Sequence, residues 1–351
     1  MINTEEKLAA FLPVVRTAAR VAVDTEADSL HAYPEKVCLI QISTAAGDEL
    51  IDPLAGVNLD PLLDALGGHE LIFHAADYDL RLLRKHHEFV PGAIFDTMLA
   101  ARLLGERQFG LGNLVENFLG VKLEKGSQKA DWARRPLTPR MAENARNDTH
   151  YLKPLADKLK AALREKGRLA WHQESCVRLI AESSQFRAPD PDMVWRVKGS
   201  FGLSRPAMAV LREIWNWRES EALASTRPPF FILSHEVMVK LAEAAAADQL
   251  VDHLVPRHLT PRRREGLAQA VQTGLAVPAE KHPEVLRTER RRPSEAEFRR
   301  FRDLEKRRDK HAHELGLDPT LIAPRATLGD LARDWDANAP ELMNWQRELL
   351  K

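Results

Sequence analysis

The chain has 351 residues, 44% hydrophobic and 29% charged, which is long for one core and comfortable for two or three domains. Lys+Arg and Asp+Glu both total 51, so the net charge is zero and any surface that attracts a polyanion must be local. Two cysteines, Cys38 and Cys176, exclude a disulfide framework and cannot form a zinc site alone.

The opening MINTEEKLAAF lacks the basic and apolar regions of a secretion signal. No run approaches the roughly 20 apolar residues of a membrane helix. A soluble, cytoplasmic, monomeric protein with no membrane partner is expected. Short apolar runs broken by turns predict strands at 20–26, 37–43, 49–52, 71–74 and 93–95. Cys38, inside VCLIQIS, reads as a small core residue. A helix is predicted over 78–87, with leucines at 80, 82 and 83, and another to about Leu104, capped by Asp96 and Thr97. Thr138-Pro139 reads as an N-cap with Pro at N1, opening one long helix through about Lys166. The first 165 residues or so therefore predict an α/β unit, a mixed sheet with flanking helices. Strand signals largely vanish after Gly167, and APDPD at 188–192 reads as a linker. Helices are predicted over 205–224, 295–314, 318–331 and 340–350, forming two all-helical units. Trp171, Trp195, Trp215, Trp217, Trp335 and Trp345 read mostly as core residues of this half.

The chemistry begins with Asp24-Thr25-Glu26 at the end of the first strand. Residues two apart on a strand share a face, and neighbouring carboxylates repel unless a cation joins them. Asp77 and Asp79 follow His74 at the start of a helix, where Asp77 reads as the N-cap. Asp148, between Asn147 and Thr149 in mid-helix, contributes little to helix stability, which favours a functional role. Oxygen ligands without His or Cys suit Mg²⁺ or Mn²⁺ rather than zinc. Spacing alone does not prove that these carboxylates converge.

Asp24-Thr25-Glu26 with Pro34 and VCLIQIS resembles the first exonuclease motif of the ribonuclease D family, and FHAADYDLRLL resembles the second. ADWARRPLT, at 130–138, is similar to a segment characteristic of that family, and NARNDTHYL, at 144–152, resembles the third motif. The resemblance covers about residues 8–165. It implies a ribonuclease H-like exonuclease domain over 1–167 whose Asp24, Glu26, Asp79 and Asp148 bind two Mg²⁺ or Mn²⁺ ions. Water then attacks the terminal phosphodiester and releases a 5′-nucleotide. The implied activity is 3′→5′ exoribonuclease, with tRNA precursors or other structured RNAs as substrates. The family carries a catalytic Tyr four residues before the third-motif Asp; here that residue is Asn144, whose amide can hold a water but cannot act as a base. Glu143 is an alternative base only if it turns inward, and Tyr151 reads as packing. Thr25, Gln41, His74, Arg134 and Arg135 are the candidate substrate contacts. Gln41 and His74 also read as structural supports, and Arg134 and Arg135 as phosphate holders or a solvated surface.

Residues 195–283 resemble the HRDC domain, and 290–351 a second, divergent HRDC-like module, joined to the exonuclease domain by a linker helix and loop over 168–194. Basic clusters at 257–264 and 287–310 offer phosphate contacts, although acidic residues interleave the second and suit a salt-bridged helix equally. Two other functions stay open: a 3′→5′ DNA exonuclease, and an RNA-binding protein weakened in catalysis by Asn144.

Overall fold

The computed structural model describes residues 1–124, 126, 129–185, 188–286 and 291–351. The chain divides into two units, one of residues 1–27, 37–186 and 291–351, the other of residues 28–36 and 187–290.

A five-stranded sheet organises the first unit. Its strands are β1 (Val21–Ala27), β2 (Val37–Thr44), β3 (Gly47–Ile51), β4 (Glu70–Phe73) and β5 (Ala93–Asp96), in the order β3-β2-β1-β4-β5. β1 and β2 run antiparallel, as do β2 and β3, whereas β1–β4 and β4–β5 are parallel. The apolar run of β2 is buried on both sheet faces. Val21 and Val23 enter the core shared with α1 (Glu5–Thr17), α2 (Asp60–Gly67) and α3 (Asp77–His87). Ala22 enters the core on the other side, with α4 (Thr97–Leu104), α5 (Leu111–Leu119) and the later helix α7.

The long helix expected after Pro139 is two helices, α6 (Pro139–His150) and α7 (Leu152–Glu165). Pro154 has no N–H to offer the carbonyl four residues back, and its ring crowds that carbonyl, so the helix restarts at Tyr151. The segment 168–194, expected as a linker helix and loop, contains α8 (Leu169–Ser184), which belongs to the first unit and puts Cys176 in the core around α3.

The second unit contains α9 (Arg205–Ser225), α10 (Pro229–Ile232), α11 (His235–Ala246) and α12 (Pro261–Leu275). Ser204, Ser234 and Thr260 cap the three longer helices by accepting backbone N–H bonds. The core holds Trp195, Met208, Leu211, Ile214, Leu241 and Leu267. Gly274 lets α12 cross α9 closely: a Cβ there would lie 2.4 Å from Val210 Cα.

Helices α13 (Glu295–Leu315), α14 (Pro319–Ile322), α15 (Arg325–Arg333), α16 (Trp335–Asn338) and α17 (Asn344–Leu350) follow. The separate module expected here instead shares a core with the sheet unit: Leu304, Ile322, Leu328, Leu331 and Trp345 join Leu103, Leu114, Leu155 and Leu159. Arg168 bridges the two parts, donating to the carbonyls of Leu103 and Leu315, both at 2.7 Å. Trp171 stacks on Trp345 with ring centroids 5.0 Å apart. Helices α13–α15 repeat α9–α11 in one register from the start of the first helix to the start of the third, but α15 ends sooner than α11 does. In both series a buried arginine pairs with the next residue's carboxylate, Arg218 with Glu219 and Arg308 with Asp309.

Most described arginines of the two basic clusters are committed internally. Arg262 and Arg263 share Glu221, and Arg264 donates to backbone carbonyls. Arg291 pairs with Glu297, Arg300 and Arg307 bind the carbonyls of Ala332 and Leu350, and Lys310 pairs with Glu314. Residues 287–290, at the head of the second cluster, lie outside the described residues.

Candidate active site

The end of β1 carries Asp24 and Glu26 on the sheet face covered by α6. Thr138 opens α6 by accepting from Met141 N, and the helix brings Asn144 and Asp148 over the same strand end. Its last turn is tied to the sheet: Ser43 Oγ donates to Asp48 and lies 2.7 Å from Thr149 Oγ1, and His150 Nδ1 lies 2.7 Å from Asp48 Oδ2. Carboxylate oxygens of Asp24, Glu26 and Asp148 all lie within 4.8 Å of one another.

Asp79 enters from α3 and stands slightly apart from that trio. Its Oδ1 accepts from Thr25 N at 2.9 Å and from Thr25 Oγ1 at 2.5 Å, between the two acids of β1. The start of α3 is held by Asp96, whose Oδ2 accepts from Ala76 N while Oδ1 caps α4 at Leu99 N. The N-cap of α3 is Ala76, not Asp77 as expected; Asp77 is exposed and pairs with Arg81.

Burial, and then crowding, makes the acids of this cluster hold their protons more tightly than free carboxyls do. Burial, then the charges of Asp79, Asp148 and Glu26, push the Asp24 carboxyl well above the usual range. Burial, with Asp148 and Asp79, pushes Glu26 up to about 8. Burial raises Asp79 to about 7 against the opposing Thr25 bonds, and Asp148 to about 6. A cation between these oxygens would reverse each of these penalties.

The cleft above them has a volume of about 550 Å³, and Glu26, Asn144 and Asp148 lie on its walls. The facing wall comes from Gly110, Leu111, Gly112 and Asn113 at the head of α5, and from Leu123, Glu124 and Gly126. These residues were not singled out in the sequence, where only the glycines of QFGLGN hinted at a close-lying backbone. Asn144 is buried, and its Nδ2 has no hydrogen-bond partner in the protein. Glu143 is exposed and does not turn inward. Tyr151 packs at the edge of the α4–α7 core.

Of the expected substrate contacts, Thr25 is taken up by Asp79. Gln41 is fully buried beside Asp24, and His74 Nδ1 lies 2.9 Å from Thr97 Oγ1, whose own proton goes to the Phe73 carbonyl. His74 therefore donates through Nδ1, and burial lowers its pKa. Arg134 is exposed. Arg135 is a correction: its five N–H groups meet both Asp52 oxygens and the carbonyls of Trp132, Arg134 and Cys38. None is left for a phosphate.

A model of the 3′-5′ exonuclease domain matches residues 1–164, and one of the HRDC domain matches 207–249. The ribonuclease D of Xanthomonas oryzae is 32% identical over 345 residues, covering 95% of this chain and 91% of that protein. The chain belongs to the ribonuclease D family. The ribonuclease D of Zymomonas mobilis is 36% identical over 247 residues, and this alignment covers 69% of the chain but only 63% of that relative's length. Among solved structures, Escherichia coli RNase D, an exoribonuclease involved in structured RNA processing, shares the fold with a TM-score of 0.76 at 24% identity, over 100% of this chain and 96% of that one. Within ribonuclease D proteins, the exonuclease domain and its HRDC neighbour are the parts matched here by family models. No described helix of this ribonuclease D family member is long and apolar enough to cross a membrane.

Proposed function

We propose that this protein is a metal-dependent 3′→5′ exoribonuclease that removes 5′-nucleotides from the ends of structured RNAs, tRNA precursors among them. The observation that carries this reading is the convergence of Asp24, Glu26 and Asp148 oxygens within 4.8 Å, with Asp79 bonded to the residue between the first two. Carboxylates this close, and this reluctant to ionise, fit a pair of hard divalent ions, Mg²⁺ or Mn²⁺, held by these four side chains. When bound, such ions acidify water and neutralise charge on the phosphate. The chain's own part is to fix these oxygens through Thr25, Asp96 and the Ser43–Asp48–His150 ties. Asn144 lies on the cleft wall, with a free amide N–H to orient a water. A 5′-labelled RNA and a 5′-labelled DNA strand of the same sequence, each incubated with Mg²⁺ or Mn²⁺, test the proposal. Stepwise shortening of RNA from its 3′ end, lost in Asp24→Asn, is expected. Faster shortening of the DNA would assign the protein to DNA instead.

A second reading rests on Asn144 standing where the family's Tyr was expected: binding of RNA with slow hydrolysis. General-base catalysis contributes roughly 10²–10⁴-fold, so loss of the Tyr matters. Turnover comparable to that of the Asn144→Tyr variant would dismiss it.

A further inference from the structure

Gln41 is out of place on packing grounds. It sits in the middle of β2, among Leu39, Ile40 and Ile42, and its side chain is fully buried. Neither Oε1 nor Nε2 has a hydrogen-bond partner in the protein. Buried amides are nearly always bonded, and an apolar residue of similar volume would fill this place without cost. Its polar neighbours on the same strand are satisfied otherwise, Ser43 by Asp48 and Thr149.

Register explains why an amide is here. Gln41 pairs directly with Asp24 across β1 and β2, so both side chains leave the same face, the one covered by α6. Directly opposed residues of an antiparallel pair have Cβ atoms roughly 4.5–5.5 Å apart, within the span of an amide and a carboxylate, or of one water between them. Asp79 already has Thr25 as a fixed donor, whereas no side-chain donor to Asp24 is present among the described residues. The orphaned amide and a carboxylate that lacks a side-chain donor are neighbours.

We propose that Gln41 is a positioning residue of the metal centre, its Nε2–H holding the Asp24 carboxylate, directly or through one bound water, when Asp24 is charged and bound to a divalent ion. This rests on the metal reading given above. Donors of this kind orient ligands, and their removal typically costs about 10–100-fold in metal affinity. Gln41 touches no reacting atom in this role.

The test uses the full chain and Mn²⁺, with binding measured by calorimetry and thermal midpoints measured in chelator. Gln41→Met fills the same space without an amide, and Gln41→Asn keeps the amide but shortens its reach. Both are expected to bind Mn²⁺ roughly 10–100-fold more weakly. Gln41→Met should keep or raise the metal-free midpoint, an effect that a merely structural amide would not give. Mn²⁺ affinity equal to the parent's in both variants overturns the proposal, as does a lowered metal-free midpoint with unchanged affinity in whichever variant folds. Asp24→Asn is the control: if it binds Mn²⁺ like the parent, the metal reading itself fails. If Asp24→Asn loses Mn²⁺ while both Gln41 variants keep it, only the role of Gln41 fails.

Discussion

Removing metal should make the stability of this protein fall as pH rises, the opposite of the usual carboxylate behaviour. In the unfolded chain Glu26 titrates near its ordinary value of 4.5; in the folded, metal-free site burial and the charges of Asp148 and Asp79 hold it at about 8. The folded state therefore binds the extra proton, and the stability this contributes is complete below about 4.5 and is lost as pH climbs through 8. Asp79, at about 7, and Asp148, at about 6, act in the same direction over narrower windows. Each pKa unit is worth about 1.4 kcal/mol, so Glu26 alone accounts for on the order of 3 kcal/mol once solvent reaching the cleft is allowed for. Coupling among the acids prevents simple addition. Thermal midpoints in chelator and in excess Mn²⁺, recorded at pH 5.5, 7 and 8.5, read the effect. The metal-free midpoint should fall across the series, and the rise on adding Mn²⁺ should be greatest at pH 8.5, where ligands need not be deprotonated. Glu26→Gln should flatten the metal-free profile and stabilise that form at pH 8.5. A metal-free midpoint that is flat or rises from pH 5.5 to 8.5, with Glu26→Gln destabilising at pH 8.5, would refute the reasoning.

Other outcomes follow from single contacts. Asn144→Tyr should raise kcat up to roughly 10²-fold with little change in KM, and Asn144→Ala should lower it; steady-state kinetics on one labelled RNA decides. Arg135→Met strands the nearly buried Asp52 and should cost about 3–5 kcal/mol in denaturant unfolding, without a change in the salt dependence of RNA binding. Trp345→Ala removes a buried ring that stacks on Trp171 and should cost about 3–5 kcal/mol, lowering the midpoint of the catalytic unit itself. Gly274→Ala drives a methyl into the Val210 backbone and should cost about 1–3 kcal/mol.

What could be read from the sequence was what local pattern determines. The apolar run of β2, the Thr138–Pro139 start of α6 and the three acidic motifs each lie within a dozen residues, and their strands and helices stand close to where the pattern put them. Convergence of the acids came from resemblance, because nothing in their spacing brings residue 148 to residue 24. Arg135 misled because its partner Asp52 lies far away in sequence and is reached only through the fold. An amphipathic stripe says that a helix has a buried face but not what covers it, so α8 passed for a connecting helix and α13–α17 for a free module. The common register of α9–α11 and α13–α15 was present in the sequence, but it is carried by boundaries and a buried arginine rather than by repeated residue runs.

The joining of α13–α17 to the sheet unit sets an order of events during synthesis. Leu103, Leu114 and Leu155 meet partners that are translated more than a hundred residues later, beyond residues 187–290 of the second unit. At about 5–20 residues per second, the apolar sides of α4, α5 and α7 wait on the order of ten seconds for their cover. During that interval the four acidic side chains have all been made, but the framework that holds them is unfinished. A nascent chain released early would therefore present sticky helices rather than a small nuclease, and hydrolytic capacity would mature only as the final helices dock.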